Sequence, residues 1–466
     1  MWVTRAITVS LLGATTVACG GTQKHLEPGE IRVLPFTNIQ HVNGLRGTVD
    51  SARAANEPVR VLFMHGMITW DSGYSRPHQA KIAERLALET AGPDSVFSVI
   101  RGYRFTVMSG PQPFVIAPPD WPPNKPPVGG ELLPAEIRRT TWVERANPSV
   151  VRLIAYELRW ADLRDAAKNR FLACYETGPV RDGYDCDPFT KDYLPNTDRR
   201  ASANYKLKRG LLVRGLADAA VVLSPFGDVL RDDVDLTMCI IARDELRWRG
   251  IPVSDSVGKR CDLGVLASDR AVATNAARTL ERARFAAITH SLGSFLLMDQ
   301  QFQAAVRRAS PNALATVQSV RETLPFFLLD QKTVFMLANQ VSLLGLGRLD
   351  AVCETTDPKQ PCPNRALKKV DDYIKAAKPS ATMTTWVAFN DVNDLLGYEL
   401  PGYLPEVGST GALINVTVRN PGFRFLRSLK DPNAAHTKQA DNPAIIEAIV
   451  EGFDVPRAGP AQSLKR

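Results

Sequence analysis

Ser291, Asp394 and His436 are the residues whose types and order suit nucleophilic catalysis. A serine hydroxyl is a poor nucleophile at neutral pH. It needs a base to take its proton and a carboxylate to orient that base. Ser291 lies in FAAITHSLGSFLLMD, residues 285 to 299. The first apolar run stops at Thr289-His290-Ser291-Leu292-Gly293, and a second run, Phe295-Leu296-Leu297-Met298, follows without a loop. A strand that turns at once into a helix can hold its turn serine in a strained position with the helix N-terminus beneath the hydroxyl. The pattern for such a turn is Gly-x-Ser-x-Gly. Gly293 satisfies its second glycine, and Thr289 stands in place of the first. Taken alone, the stretch also reads as a Ser-Gly turn capping a helix.

Of the 6 histidines, only His436 follows Ser291, in AAHTKQADNPAIIEAI. Between them TMTTWVAFNDVNDLL ends in two candidate acids, Asp391 and Asp394. That strand should finish near Asn390, leaving Asp391 at its edge, where a short carboxylate suits the turn backbone. Asp394, three residues on, can turn back toward His436 and is the expected partner. His65 and His290 flank the site with structural roles expected, His65 shaping its own loop by hydrogen bonding.

These residues need a scaffold. The 466 residues are 44% hydrophobic and 23% charged, a globular composition with ample material for a core. VRVLFM after Pro58, VVRLIAYELRW (150 to 160), the run ending at His290, TVFMLANQ (333 to 340), TMTTWVAFND (382 to 391) and ALINVTVRN (412 to 420) read as strands, several of them continuous enough to be buried on both faces. PHQAKIAERLALET has helical spacing, and DSVFSVIRGYRFTVM is β-rich. Alternating strands and helices predict an α/β fold, a mainly parallel sheet with helices on both faces. The interval at about 162–280 is too long for one crossover helix and predicts a cap-like insertion. Residues 111 to 127 contain eight prolines and predict a loop, read as a surface excursion or as a flap carrying Phe114 and Trp121.

The chain resembles the α/β-hydrolase superfamily, in its serine esterase and lipase-like branches, over roughly residues 57 to 450. The resemblance rests on VLFMHGM, THSLGS, FNDVNDLL and AHTKQADNPAI, in that order. It implies that Ser291, Asp394 and His436 are catalytic and that no cofactor is needed. It implies too that the N–H of Met67, in His65-Gly66-Met67, and the N–H of Leu292 stabilise the oxyanion. The family commonly places its acid before an apolar pair, and Leu395-Leu396 follows Asp394. The implied reaction is hydrolysis of a carboxylic ester. Lipase or phospholipase action on membrane lipid and a non-catalytic binding lipoprotein on the same fold are the alternatives.

Residues 1–18 read as a signal peptide and 19–56 as a tether with irregular leading strands. The hydrolase-like domain follows over 57–450, and 451–466 is expected to be a tail. Thr16-Val17-Ala18-Cys19 resembles a bacterial lipoprotein signal with Cys19 as the lipidated residue, Thr16 standing where leucine is usual. This implies a lipid-anchored protein, by resemblance in the outer membrane of a Gram-negative envelope. The remaining cysteines form three close couples: Cys174 and Cys186, Cys239 and Cys261, Cys353 and Cys362. Fifteen pairings are open to them. Sequential pairing is expected because each couple flanks a polar loop, and an oxidising periplasm would preserve the bonds. The net charge of +8, from 57 basic and 49 acidic residues, comes without a dense basic stripe. That argues against nucleic acid as a partner and allows weak attraction to anionic lipid. His-Glu-x-x-His and a phosphate-binding glycine loop are both missing from the sequence.

Overall fold

In the computed structural model the apolar runs become the centre of a 10-stranded sheet. The structure describes residues 32–35, 39–66, 72–99, 106–107, 114–115, 135–160, 217–224, 226–253, 270–308, 323–345, 384–400, 411–418, 424–425, 429–430 and 432–455. In chain order the sheet strands are β1 (Arg32–Pro35), β2 (Val59–Met64), β3 (Leu88–Thr90), β4 (Ser95–Val99), β5 (Ala135–Glu144), β6 (Asn147–Arg159), β7 (Phe285–His290), β8 (Thr333–Leu337), β9 (Thr384–Asp391) and β10 (Gly411–Val418). Their spatial order is β1-β10-β9-β8-β7-β2-β6-β5-β3, with β4 also paired to β5. The block from β6 through β10 is parallel throughout. The outer strands β1, β3, β4 and β5 join antiparallel. The fold is therefore mixed α/β with a mostly parallel central sheet, as the alternation of elements predicts.

Every residue of β2 is buried, which explains why it is apolar at every position but Arg60. Successive side chains still serve opposite faces. Val59, Val61 and Phe63 join one core, and Leu62 and Met64 join the other. The first core is closed by α1 (Leu45–Ala54) through Leu45, Val49 and Ala52, and by α2 (Arg76–Arg85) through Ile82 and Ala83. The second core is closed by α3 (Ala217–Leu223), α4 (Phe226–Trp248), α5 (Arg270–Arg282) and α6 (Leu292–Arg308). The short helix α7 (Val341–Gly345) adds Val341 and Leu344 there. After α8 (Pro432–Thr437), α9 (Pro443–Glu451) returns to the first face with Ile445 and Ile449.

Several elements differ from the sequence reading. Part of the region expected to be a tether is the helix α1, whose apolar stripe is core. Residues Gly452–Asp454, expected to open a tail, pair antiparallel with His41–Asn43. Of the interval read as a cap-like insertion, the described helices α3, α4 and α5 pack beneath the sheet. Glu245 of α4 forms a buried ion pair with Arg60 of β2 and accepts from Arg249 Nε at 2.9 Å. Arg249 also pairs with Glu57, at 2.5 and 2.7 Å. Part of the length that suggested an insertion is taken up by these three core helices. The rest of that interval lies outside the described residues. So does most of the proline-rich stretch, within which Phe114–Val115 pairs with Thr106–Val107.

β2 has β6 on one side and β7 on the other. Strands β3 to β6 build outward from one flank of β2, and β7 to β10 build outward from the other, with β1 added at its edge. Such a reversal opens a crevice beyond the carboxyl ends of the strands. His65, Ser291 and Asp394 all follow the carboxyl ends of parallel strands.

Candidate active site

Ser291 is the single residue between β7 and α6. Its φ is +55°, a left-handed conformation that costs a non-glycine residue on the order of 1–3 kcal/mol. Its N–H donates to Leu337 O at 2.7 Å, and its carbonyl accepts from Ser294 N–H at 3.1 Å, which hold the turn. Two glycines provide the clearance. A Cβ on Gly66 would overlap Ser291 Cβ and come within 2.9 Å of Ser291 Oγ and of His290 O. A Cβ on Gly293 would lie 2.6 Å from His65 O. Thr289 fits in the place of the missing glycine because it belongs to β7, opposite Met64, and its Oγ1 lies 2.9 Å from Ser294 Oγ.

His436 Nε2 lies 2.9 Å from Ser291 Oγ. On the other side of the ring, Nδ1 lies 2.8 Å from Asp394 Oδ2 and 3.0 Å from Oδ1. An ionised carboxylate only accepts, so Nδ1 carries the proton and Nε2 of the neutral ring is free to accept from the serine hydroxyl. All three side chains are buried. Ser291 and Asp394, 145 and 42 positions from His436 in sequence, thus form one line of hydrogen bonds with it.

Asp391 does not reach His436. Its Oδ1 accepts from Asn393 N–H and from Asn393 Nδ2, both at 2.9 Å, and its carbonyl accepts from Asp394 N–H at 2.9 Å. This turn directs Asp394 back toward His436. Asp394 Oδ1 also accepts from Leu396 N–H at 2.9 Å, and a Cβ on Gly397 would lie 2.5 Å from Asp394 Oδ2. The loop is tied at its far end, where Asn415 exchanges hydrogen bonds of 2.9 and 2.8 Å with the Leu400 backbone. Asn339 Nδ2 donates to Tyr398 O at 3.1 Å. Gln439 Oε1 accepts from Ala338 N–H at 2.7 Å, fixing the segment just after His436. The sequence reading did not single out Asn415, Gln439 or Gly397. The available signal was modest: a polar residue within an apolar strand, a glutamine three residues after the histidine, and a glycine three residues after the acid.

Leu292, buried, is the first residue of α6, so its N–H has no acceptor within the helix. Met67, the other expected oxyanion donor, lies outside the described residues. The residues leading to it are well held. His65 Nδ1–H donates to Gly66 O at 2.7 Å, and Nε2 accepts from Trp160 N–H at 3.2 Å. The ring packs against Tyr74 and Trp160. Glu157 accepts from Gly73 N–H at 2.7 Å, Ser75 N–H at 2.8 Å and Ser75 Oγ at 2.5 Å. Burial raises the Glu157 carboxyl above its ordinary range, and those three donors oppose the rise.

His290 lies beside His436, with its Nε2 3.0 Å from His436 O. Burial, and then the facing His436, push its imidazole down to about 3. His41 pairs with Asp454 far along the chain and is not part of the cluster. Among the described residues no group of three or more His, Cys, Asp or Glu could hold a metal ion, and no helix is long and apolar enough to cross a membrane. Cys239 is disulfide-bonded. Cys19, Cys174, Cys186, Cys261, Cys353 and Cys362 lie outside the described residues. No protein-family model matches the chain, and comparison with curated proteins and with solved structures finds no match.

Proposed function

We propose that the chain is a serine hydrolase of carboxylic esters, built on an α/β-hydrolase fold. The observation that carries the reading is the line Ser291 Oγ, His436 Nε2, His436 Nδ1, Asp394, with separations of 2.9 and 2.8 Å, on a serine held at φ +55°. The serine turn between strand and helix and the chain order Ser, Asp, His support the fold assignment.

In this reading Ser291 Oγ attacks the ester carbonyl while His436 Nε2 takes its proton. The N–H groups of Leu292 and Met67 receive the oxyanion, and one such donor is worth about 3–4 kcal/mol. The tetrahedral species collapses, the carbon–oxygen bond to the alcohol breaks, and His436 returns the proton to the leaving oxygen. Water, deprotonated by His436, then attacks the acyl-serine. The acid leaves and Ser291 regains its proton. Asp394 fixes the tautomer of His436 and stabilises the imidazolium.

A lipid ester is favoured as substrate by one feature of the loop that carries Asp394. Val392, Leu395 and Tyr398 are exposed there, at 74%, 59% and 49%. An envelope lipoprotein anchored through Cys19 would meet such substrates; Cys19→Ala should release the protein from the membrane fraction, and unchanged partition would end that part of the proposal.

A fluorophosphonate probe tests the central reading. It should label Ser291 in the folded protein, and Ser291→Ala should abolish both labelling and ester hydrolysis. The combined loss in Ser291→Ala/His436→Ala should be close to that of either single variant, because the two act as one unit. Folded wild-type protein that takes no label would point instead to a binding module.

A further inference from the structure

We propose that His290 is a positioning residue for the base: its Nε2–H, donated to the main-chain carbonyl of His436, holds the imidazole of His436 in line between Ser291 and Asp394. The proposal rests on the reading of those three residues as a catalytic triad.

The His290 Nε2 to His436 O distance is 3.0 Å. A carbonyl can only accept, so the proton of this bond sits on His290 Nε2. The two rings meet edge to face, with centroids 5.3 Å apart and planes at 73°. His290 is the last residue of β7 and immediately precedes the nucleophile. One strand end therefore carries both Ser291 and the tether of its base, and the distance between them is set by a single peptide unit.

The base needs such a tether. His436 sits in α8, a helix of six residues from Pro432 to Thr437. A helix this short is not stable by itself. The His436 carbonyl is among the last four of the helix, which have no N–H donor within it. Side-chain donation at a helix C-terminus supplies the missing partner. The bond from Nδ1 to Asp394 restrains one edge of the ring and does not itself hold the His436 backbone. The bond from His290 restrains the backbone, and two points define the line to Ser291.

The character of His290 suits the place. His436, Asp394 and His78 are among the charged and titratable groups that act on it. Burial and the facing His436 hold its pKa down to about 3, so His290 stays neutral when His436 takes the serine proton. The base can then become a cation without a second one against it.

Two replacements separate the donor from the ring. His290→Gln keeps an N–H donor at a reach similar to Nε2, and His290→Phe keeps a ring without a donor. Hydrolysis of p-nitrophenyl butyrate, the rate of fluorophosphonate labelling of Ser291, and hydrogen exchange over residues 432–437 are measured on each. In His290→Phe, kcat should fall by roughly 10²-fold, the scale of a misplacement near 1 Å, with KM little changed. Labelling should slow in parallel, and exchange over 432–437 should rise. His290→Gln should recover most of kcat and the protection. Should His290→Phe not fold, His290→Ala repeats the comparison by leaving space rather than bulk. A reactive wild-type protein with unchanged kcat or unchanged exchange in the donorless variants would overturn the role of His290 alone. Equal losses in the Gln and donorless variants would overturn it as well. A folded wild-type protein that neither hydrolyses ester nor takes the probe would overturn the triad reading and this proposal together.

Discussion

Gly66 packs directly on Ser291, closely enough that a Cβ on residue 66 would overlap the Ser291 Cβ. The contact follows from sheet register: Met64 of β2 lies opposite Thr289 of β7, so two residues further on each chain the backbones meet. Gly66→Ala must therefore push apart the serine turn and the His65–Gly66 segment. Overpacking of this kind costs about 1–3 kcal/mol. The expected outcome is that loss of stability, read by urea denaturation, with turnover down roughly 10²-fold. Full activity in a folded Gly66→Ala would show that the turn can yield without displacing the hydroxyl.

The two aspartates of the loop after β9 should respond differently. Asp394→Asn removes the acceptor that selects the His436 tautomer, and in a comparable triad this change lowers turnover by about 10⁴. Asp391→Asn should keep most activity and lose stability, because Asp391 Oδ1 serves the Asn393 N–H and side chain rather than His436. Steady-state kinetics beside thermal melts distinguish the pair. An inactive, fully stable Asp391→Asn would contradict the assignment.

His78 links stability to pH. It is buried on α2, edge-on to Phe63, and burial, reinforced by Lys81 and opposed by Asp441, lowers its pKa from 6.5 to about 4. Between those values the unfolded chain binds a proton that the folded protein refuses, so stability falls as pH drops through that window. The contribution is fully present above pH 6.5 and amounts to about 3 kcal/mol at most. His78→Phe abolishes this dependence. Urea midpoints from pH 7.5 to 4 should show the gap between wild type and His78→Phe shifting in favour of the variant by up to that amount. A gap independent of pH would refute the coupling.

Cys239 sits buried in α4 and is disulfide-bonded. Its expected partner is Cys261, the nearer of the remaining cysteines in sequence. Loss of the bond in Cys239→Ala should cost about 2–4 kcal/mol. Peptide mapping without reduction should recover the 239–261 link, and the 174–186 and 353–362 links with it. A bond from Cys239 to any other cysteine would overturn sequential pairing.

The sequence by itself determined the parts that rest on composition and order. Strands buried on both faces must be apolar at most positions, so β2, β7, β8, β9 and β10 are legible as runs. Only one histidine follows Ser291, so the expected base had one candidate. The strand β5 was not legible, because Arg138, Arg139, Thr140 and Thr141 interrupt any apolar pattern where Arg138 and Arg139 side chains make ion pairs instead. The interval holding α3 to α5 was legible only as too long for one crossover helix, and whether its helices met the sheet or a separate cap depended on contacts distant in the chain. Only the tertiary structure chose Asp394 over Asp391 geometrically, since three residues of turn decide which carboxylate faces His436. Only it placed Gly66 against Ser291 and the His290 Nε2–H on the His436 carbonyl. These are relations between atoms far apart along the chain, set to within an ångström by strand register and helix docking, and no local pattern of residues encodes a distance of that kind.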